Sequence, residues 1–158
     1  MPNDIIVDPA NYHQNWDTIE DAINLAHRTI QGGEDVWCVV SFDGVYMGTI
    51  WSRPRVHDGP TNHAEERFLS LYCDTMIRNY RAKFQLRPTV LRLSVKYSPC
   101  NKSNDDHDDR CTVKIAEEAE YWPTVQVRYA RPYTNPQHDM RGSQHILNGP
   151  GMSSGQFY

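Results

Sequence analysis

The stretch "VWCVVSFDGVYMGTIW", residues 36–51, does most to limit what this chain can fold into. Two β-rich apolar runs, "VWCVVSF" and "VYMGTIW", are joined by Asp43-Gly44, and Asp-Gly between such runs predicts a two-residue hairpin turn. The hairpin is then followed by alternating helix and strand. "HAEERFLSLYCDTMIRNY" (63–80) reads as a helix with Phe68, Leu71, Tyr72 and Ile77 apolar and Asn62 as N-cap. "TVLRLSVKY" (89–97) reads as the strongest strand, apolar on much of both faces and therefore central. "CTVKIAEEAEY" (111–121) reads as a short helix and "TVQVRYA" (124–130) as a strand. Ahead of all these, "WDTIEDAINLAHRTIQ" (16–31) places Trp16, Ile19, Ile23, Ala26 and Ile30 on one helical face, and Gly32-Gly33 stops it. A β-α-β-α-β order implies right-handed crossovers and neighbouring parallel strands. The pattern predicts one domain over residues 1–140, with 141–158 as a fraying C-terminal tail.

At 158 residues and 39% apolar content, the chain can bury a core and has an ordinary globular composition. No apolar run reaches the roughly 20 residues needed to span a bilayer, so no membrane partner is expected. The N-terminus lacks a basic start and an apolar h-region, which predicts an intracellular, cytoplasmic or nuclear protein with free or metal-bound thiols. A net charge of −4 argues mildly against nucleic acid, yet twelve of the sixteen bases are Arg, whose planar forks suit phosphate and stack on bases.

The chemistry-bearing residues gather at the junctions of this alternation. His63 and Glu65 lie in the first turn of the second helix. Cys100 follows the central strand through Ser98-Pro99, and Cys111 opens the next helix. Two adjacent βα junctions thus bring one His and two Cys together, three zinc ligands with a fourth position open, the pattern of a catalytic site. Helix N-termini favour thiolates. Glu65, two residues from His63, is placed to move a proton rather than to ligate. His107, seven residues after Cys100, is a rival third ligand, though "DDHDD" reads as a solvated run. Cys38 and Cys73 read as small buried residues.

His-Ala-Glu followed by Pro-Cys and a later Cys resembles the signature of the zinc-dependent cytidine deaminases. Within that superfamily "HAEERFLSL", "LSVKYSPC" and "VRYARPYTN" are most similar to AID/APOBEC-like polynucleotide cytosine deaminases, over residues 36 to about 138. The resemblance implies a three-layer α/β/α fold with a mixed sheet of about five strands. It implies zinc held by His63, Cys100 and Cys111, with Glu65 shuttling protons while zinc-bound hydroxide attacks C4 of cytosine. The Ala64 backbone would meet the base carbonyl and the Ser98 carbonyl the departing amino group. Tyr97 would wall the pocket, Tyr133 would stack on the base, and Thr134 to His138 would help read the preceding nucleotide. Thr49 or Ser52 would contact sugar or base. Arg53 and Arg55, in the loop before the His motif, are candidate phosphate contacts.

The chain departs from that pattern in two ways. Ten residues separate Cys100 from Cys111, where the family usually has two to four, and only a short segment follows the fourth strand. The insert, Asn101 to Arg110, carries Asp105, Asp106, Asp108 and Asp109, which would repel phosphate near the site mouth. The function expected is hydrolysis of cytosine to uracil in single-stranded DNA, with RNA or duplex DNA as further candidate substrates. The alternatives are a deaminase of free cytidine or a nucleotide, a toxin-type or double-stranded DNA deaminase, and a non-catalytic zinc-stabilised nucleic-acid-binding module.

Overall fold

The computed structural model describes residues 2–29, 36–53, 63–97, 111–131 and 148–156. Strand β1 is Ile5–Ile6, and helix α1 is Trp16–Thr29, capped by the Asn15 side chain, which accepts from the Asp17 amide at 2.9 Å. Strands β2 (Trp37–Phe42) and β3 (Val45–Trp51) form the expected hairpin. Its turn has positive φ at both central residues, Asp43 (52°) and Gly44 (81°), the twist that matches two paired strands. The Asp43 carboxylate also accepts from the Thr89 and Val90 amides and from the Tyr80 hydroxyl, which ties the turn to the start of the next strand.

Helices α2 (Ala64–Arg67) and α3 (Cys73–Phe84) are one continuous rod, joined through a π-helical turn at Phe68–Tyr72. The rod outruns the expected end at residue 80 and stops at Gln85, which adopts a left-handed φ of 58°. Its N-cap position is taken by His63, not Asn62, and Asn62 lies outside the described residues. Strand β4 (Val90–Tyr97), helix α4 (Cys111–Ala119), strand β5 (Thr124–Arg131) and strand β6 (Met152–Gln156) complete the chain.

The six strands run in the order β1-β3-β2-β4-β5-β6. Strand β2 is antiparallel to both neighbours, whereas β4, β5 and β6 are parallel. The expectation of neighbouring parallel strands therefore holds for β4 and β5 but not for β3 and β4, because the hairpin folds β2 between them. Within the segment 141–158 that was expected to fray, the structure describes residues 148–156, and part of it is a strand. Met152–Gln156 pairs with β5 in register, Val125 opposite Met152, so backbone bonds hold this polar segment to the sheet edge without an apolar pattern.

The sheet separates two cores. On one face Cys38, Val40, Phe42, Leu91, Leu93, Val95, Val125 and Val127 pack against Ala64, Phe68, Met76 and Ile115 of the α2–α3 rod and α4. On the other, Trp37, Val39, Trp51 and Ala130 pack against Ile19, Ile23 and Ala26 of α1. This is the three-layer α/β/α arrangement. Strand β4 is not apolar on both faces as its sequence suggested. Its α1-side face carries Arg92, Ser94 and Lys96, between buried Leu91, Leu93 and Val95 on the other. No helix among the described residues is long and apolar enough to cross a membrane.

Gly48 admits the short edge strand. A Cβ there would collide with the Ile5 carbonyl oxygen, a backbone atom that cannot swing aside. Gly48→Ala should therefore displace β1 and cost about 1–3 kcal/mol in urea unfolding. An unchanged midpoint would show that β1 adds nothing to the sheet.

Candidate metal and active site

Two helix starts meet above the sheet. His63 stands at the N-terminus of α2 and Cys111 at that of α4. The His63 Nδ1 faces the Cys111 Sγ at 3.2 Å. The Glu65 carboxylate joins them, and the three candidate ligand atoms lie within 4.8 Å of one another. Cys111 and Glu65 are buried, at 1% and 4% exposure, and His63 is half-buried. A thiol at a helix N-terminus meets the positive end of the helix dipole, which favours its thiolate. Beneath the cluster lies Cys38 on β2. Burial, and behind it the charge of Glu65, pushes its thiol well up, so Cys38 stays protonated. It is a buried core residue, as is Cys73.

The residues that hold this arrangement follow Glu65 directly. Glu66 accepts from Lys114 Nζ at 2.6 Å, which clamps α2 to α4 and so fixes His63 relative to Cys111. Arg67 points the other way. It donates to the Trp51 carbonyl at 2.6 Å and to both oxygens of Asp4, at 2.9 and 2.7 Å. Asp4 also accepts from the Tyr72 hydroxyl at 2.6 Å and from the Trp51 amide at 2.9 Å. Sequence reasoning missed Asp4, Glu66, Arg67 and Lys114. Each pair joins residues 48 or 63 positions apart, and short-range spacing carries no signal for such contacts.

Burial works to raise the Asp4 pKa, but the bonds from Arg67, Tyr72 and Trp51, with the charge of Arg67, hold it below its ordinary value. A lowered carboxyl stabilises the fold above about pH 4 and loses that contribution as pH falls through its folded value. Asp4→Ala should cost about 2–4 kcal/mol near neutral pH, because Arg67 loses its buried partner. The gap from the parent protein should close as the pH falls below 4, measured by urea unfolding at several pH values. A gap that stays constant with pH would mean that the carboxylate charge is not what Asp4 contributes.

The other sequence-predicted positions divide. Ala64 is buried at the first turn of α2. Tyr97 ends β4 on the side that faces α2, half-buried, with Lys96 Nζ 5.0 Å from its ring centroid. Thr49 is buried with its hydroxyl 2.6 Å from that of Tyr46, in a cavity that Trp51, Ala22 and Ala26 also line, on the α1 side of the sheet. It is thus across the sheet from the His63–Glu65–Cys111 group. Ser52 accepts from the Val36 amide through its Oγ and donates its own amide to the Val36 carbonyl, extending the hairpin. Arg53 is turned to Asp4 at 3.3 Å. Ser98, Cys100, Arg55, His107, Tyr133 and the acidic insert lie outside the described residues.

Solved structures share this architecture. The dCMP deaminase of the cyanophage S-TIM5, in complex with dCMP and dUMP, is similar over 92% of this chain and 100% of its own, with a TM-score of 0.51 at 19% identity. The fold is cytidine deaminase-like. The diaminohydroxyphosphoribosylaminopyrimidine deaminase/5-amino-6-(5-phosphoribosylamino)uracil reductase of Thermotoga maritima matches 89% of this chain with a TM-score of 0.54 at 16% identity. This chain spans only 36% of that bifunctional protein. The Rib2 deaminase of Aspergillus oryzae, a C-terminal deletion mutant in complex with DARIPP, matches 89% of this chain and 81% of its own, with a TM-score of 0.52 at 14% identity. No family model and no curated protein matches the sequence.

Within this deaminase-like frame the donor set fits zinc. Zn–S near 2.3 Å and Zn–N near 2.0 Å at a tetrahedral angle place N and S roughly 3.5 Å apart. The observed 3.2 Å needs only a few tenths of an ångström of adjustment. One imidazole and one thiolate are ligand types that zinc takes in catalytic sites.

Proposed function

We propose that the chain is a zinc-dependent hydrolytic deaminase that acts on the amino group of a pyrimidine, that of a free cytosine nucleotide. The observation that carries this reading is the convergence of the His63 Nδ1, Cys111 Sγ and Glu65 carboxylate within 4.8 Å at two helix starts. His63, Cys111 and Cys100 would hold the metal. When bound, zinc supplies the Lewis acidity that makes water a nucleophile at neutral pH. Glu65 takes the proton that water gives up and delivers it first to the ring N3. The C4–O bond forms, and the same carboxylate then carries the proton of the new C4 hydroxyl to the amino group, so that the C4–N4 bond breaks, ammonia leaves and the C4 carbonyl remains. Burial of Glu65 keeps bulk water from short-circuiting that transfer.

A free nucleotide is favoured over the single-stranded DNA suggested by the AID/APOBEC-like motifs. The similar structures include a dCMP deaminase and deaminases of ribosylaminopyrimidine type. Arg53, a candidate backbone-phosphate contact, is paired with Asp4 instead. The test is incubation of zinc-loaded protein with dCMP, cytidine, a cytosine-containing single strand, the same duplex, and RNA, with ammonia and uracil measured. Turnover of dCMP or cytidine is the expected result. Product from the single strand alone would return the polynucleotide reading. No product from any of them, with zinc bound, would sink the enzyme.

A further inference from the structure

The face of the sheet away from the metal cluster has a chemistry of its own. Along β4, Arg92 and Lys96 flank Ser94 on this side, and Arg128 of β5 is the register partner of Ser94. Ser94 is 1% exposed, yet its hydroxyl has no hydrogen-bond partner. The same holds for Arg92 Nε and for the indole N–H of Trp37, one strand away on the same face. Five buried side-chain polar atoms lack a partner among the described residues, and two of them, Arg92 Nε and the Ser94 hydroxyl, belong to residues two apart on this face of β4, whereas Trp37 lies toward the Lys96 end of the strand. Both groups on β4 carry a hydrogen to donate. Native proteins leave few such donors unsatisfied, so a cluster of them points to an absent acceptor.

The charges agree. Burial, and then the like charge of Arg128, lowers the Arg92 pKa, while Glu20 on α1 pulls it back up. No ion pair joins Glu20 to Arg92, and Arg128 has none, among the described residues. The Arg92 guanidinium is steadied by Trp16, 5.5 Å from the ring centroid, and Arg128 donates to the Val127 carbonyl and to Ser153. Two half-buried guanidiniums, held apart without a carboxylate between them, leave most of their N–H groups to a ligand.

We propose that this face binds one phosphate-type oxyanion, as free phosphate or as the phosphate group of a small ester. It lies between Arg92 and Arg128, and the Ser94 hydroxyl donates from below. Such an anion accepts several charge-assisted bonds at once and removes the repulsion between the two guanidiniums. The long arginine side chains part to admit it from solvent. Because the sheet separates this place from His63, Glu65 and Cys111, its ligand is not the group undergoing reaction.

The test is calorimetric titration of the full chain with inorganic phosphate, with ribose 5-phosphate, and with sodium chloride at matched ionic strength. Saturable one-to-one binding of phosphate or the ester, and none of chloride, is expected. Preference between the two anions tells free phosphate from an ester. Arg92→Gln and Arg128→Gln should each weaken binding at least tenfold. Ser94→Ala, which keeps the strand and its volume, should weaken it severalfold with an unchanged near-ultraviolet spectrum. Arg78→Gln, on the exposed side of α3, should bind as the parent does. Absence of saturable binding, or equal affinity in Ser94→Ala and both arginine variants, would overturn the proposal. The readout needs no turnover, so its outcome is independent of the deaminase reading.

Discussion

Glu65→Gln should lower deamination by about 10²–10⁴-fold, the usual worth of a positioned general acid–base group, while bound zinc stays unchanged. Glutamine keeps the shape of the side chain but cannot accept and return a proton. Glu65 is buried at 4% exposure in the first turn of α2, within 4.8 Å of the His63 and Cys111 ligand atoms. At that range a carboxylate reaches the attacking water and the ring nitrogen without leaving its place. The loss should fall on kcat more than on KM, because the proton is in flight only in the transition state. Neutralising Glu65 also removes a negative charge that acts on the Cys38 thiol beneath it. A Glu65→Gln protein that binds zinc and turns over at the parental rate would remove the proton-transfer role.

The sequence showed the elements better than the way they join. The hairpin was legible because Asp43-Gly44 needs positive φ at both residues, and that requirement is local. The α1 face was legible because Ile19, Ile23 and Ala26 recur at helical spacing against a single sheet face. Strand order was less so. That β2 inserts between β3 and β4 depends on which edge the chain returns to, and no residue spacing records it. Strand β6 was invisible because "MSSGQ" pairs through its backbone, and its side chains are only partly covered. At the site, the meeting of His63, Glu65 and Cys111 was legible because each is placed at a helix start, and the structure brings their candidate ligand atoms within 4.8 Å. The side of the sheet that Thr49 faces was not legible, for a physical reason. Side chains alternate across a strand, so a polar residue near the end of β3 faces either layer, and this one faces α1. The clamps from Glu66 to Lys114 and from Arg67 to Asp4 span the whole fold, and only the folded chain brings their halves together.

Cys111→Ser should abolish stoichiometric zinc, with a loss of affinity beyond the roughly 10–100-fold that changes behind the ligands cause. The Cys111 thiolate would be one of two charged, soft members of the proposed donor set. A serine hydroxyl at the same place stays protonated at neutral pH and offers zinc a far poorer ligand. Cys111 is 1% exposed and its Sγ is 3.2 Å from the His63 Nδ1, so no other described cysteine can take its place. Cys38 is held protonated by burial and by Glu65. Because metal binding adds to folding, the variant should also unfold at lower urea than the zinc-loaded parent, and the two should coincide once the parent is stripped by a chelator. His107→Ala separates the two candidate third ligands from the sequence. It should keep zinc on the proposed ligand set, in which Cys111, its Sγ 3.2 Å from the His63 Nδ1, is the third ligand. Metal analysis that finds zinc retained in Cys111→Ser and lost in His107→Ala would reassign the ligand to the insert.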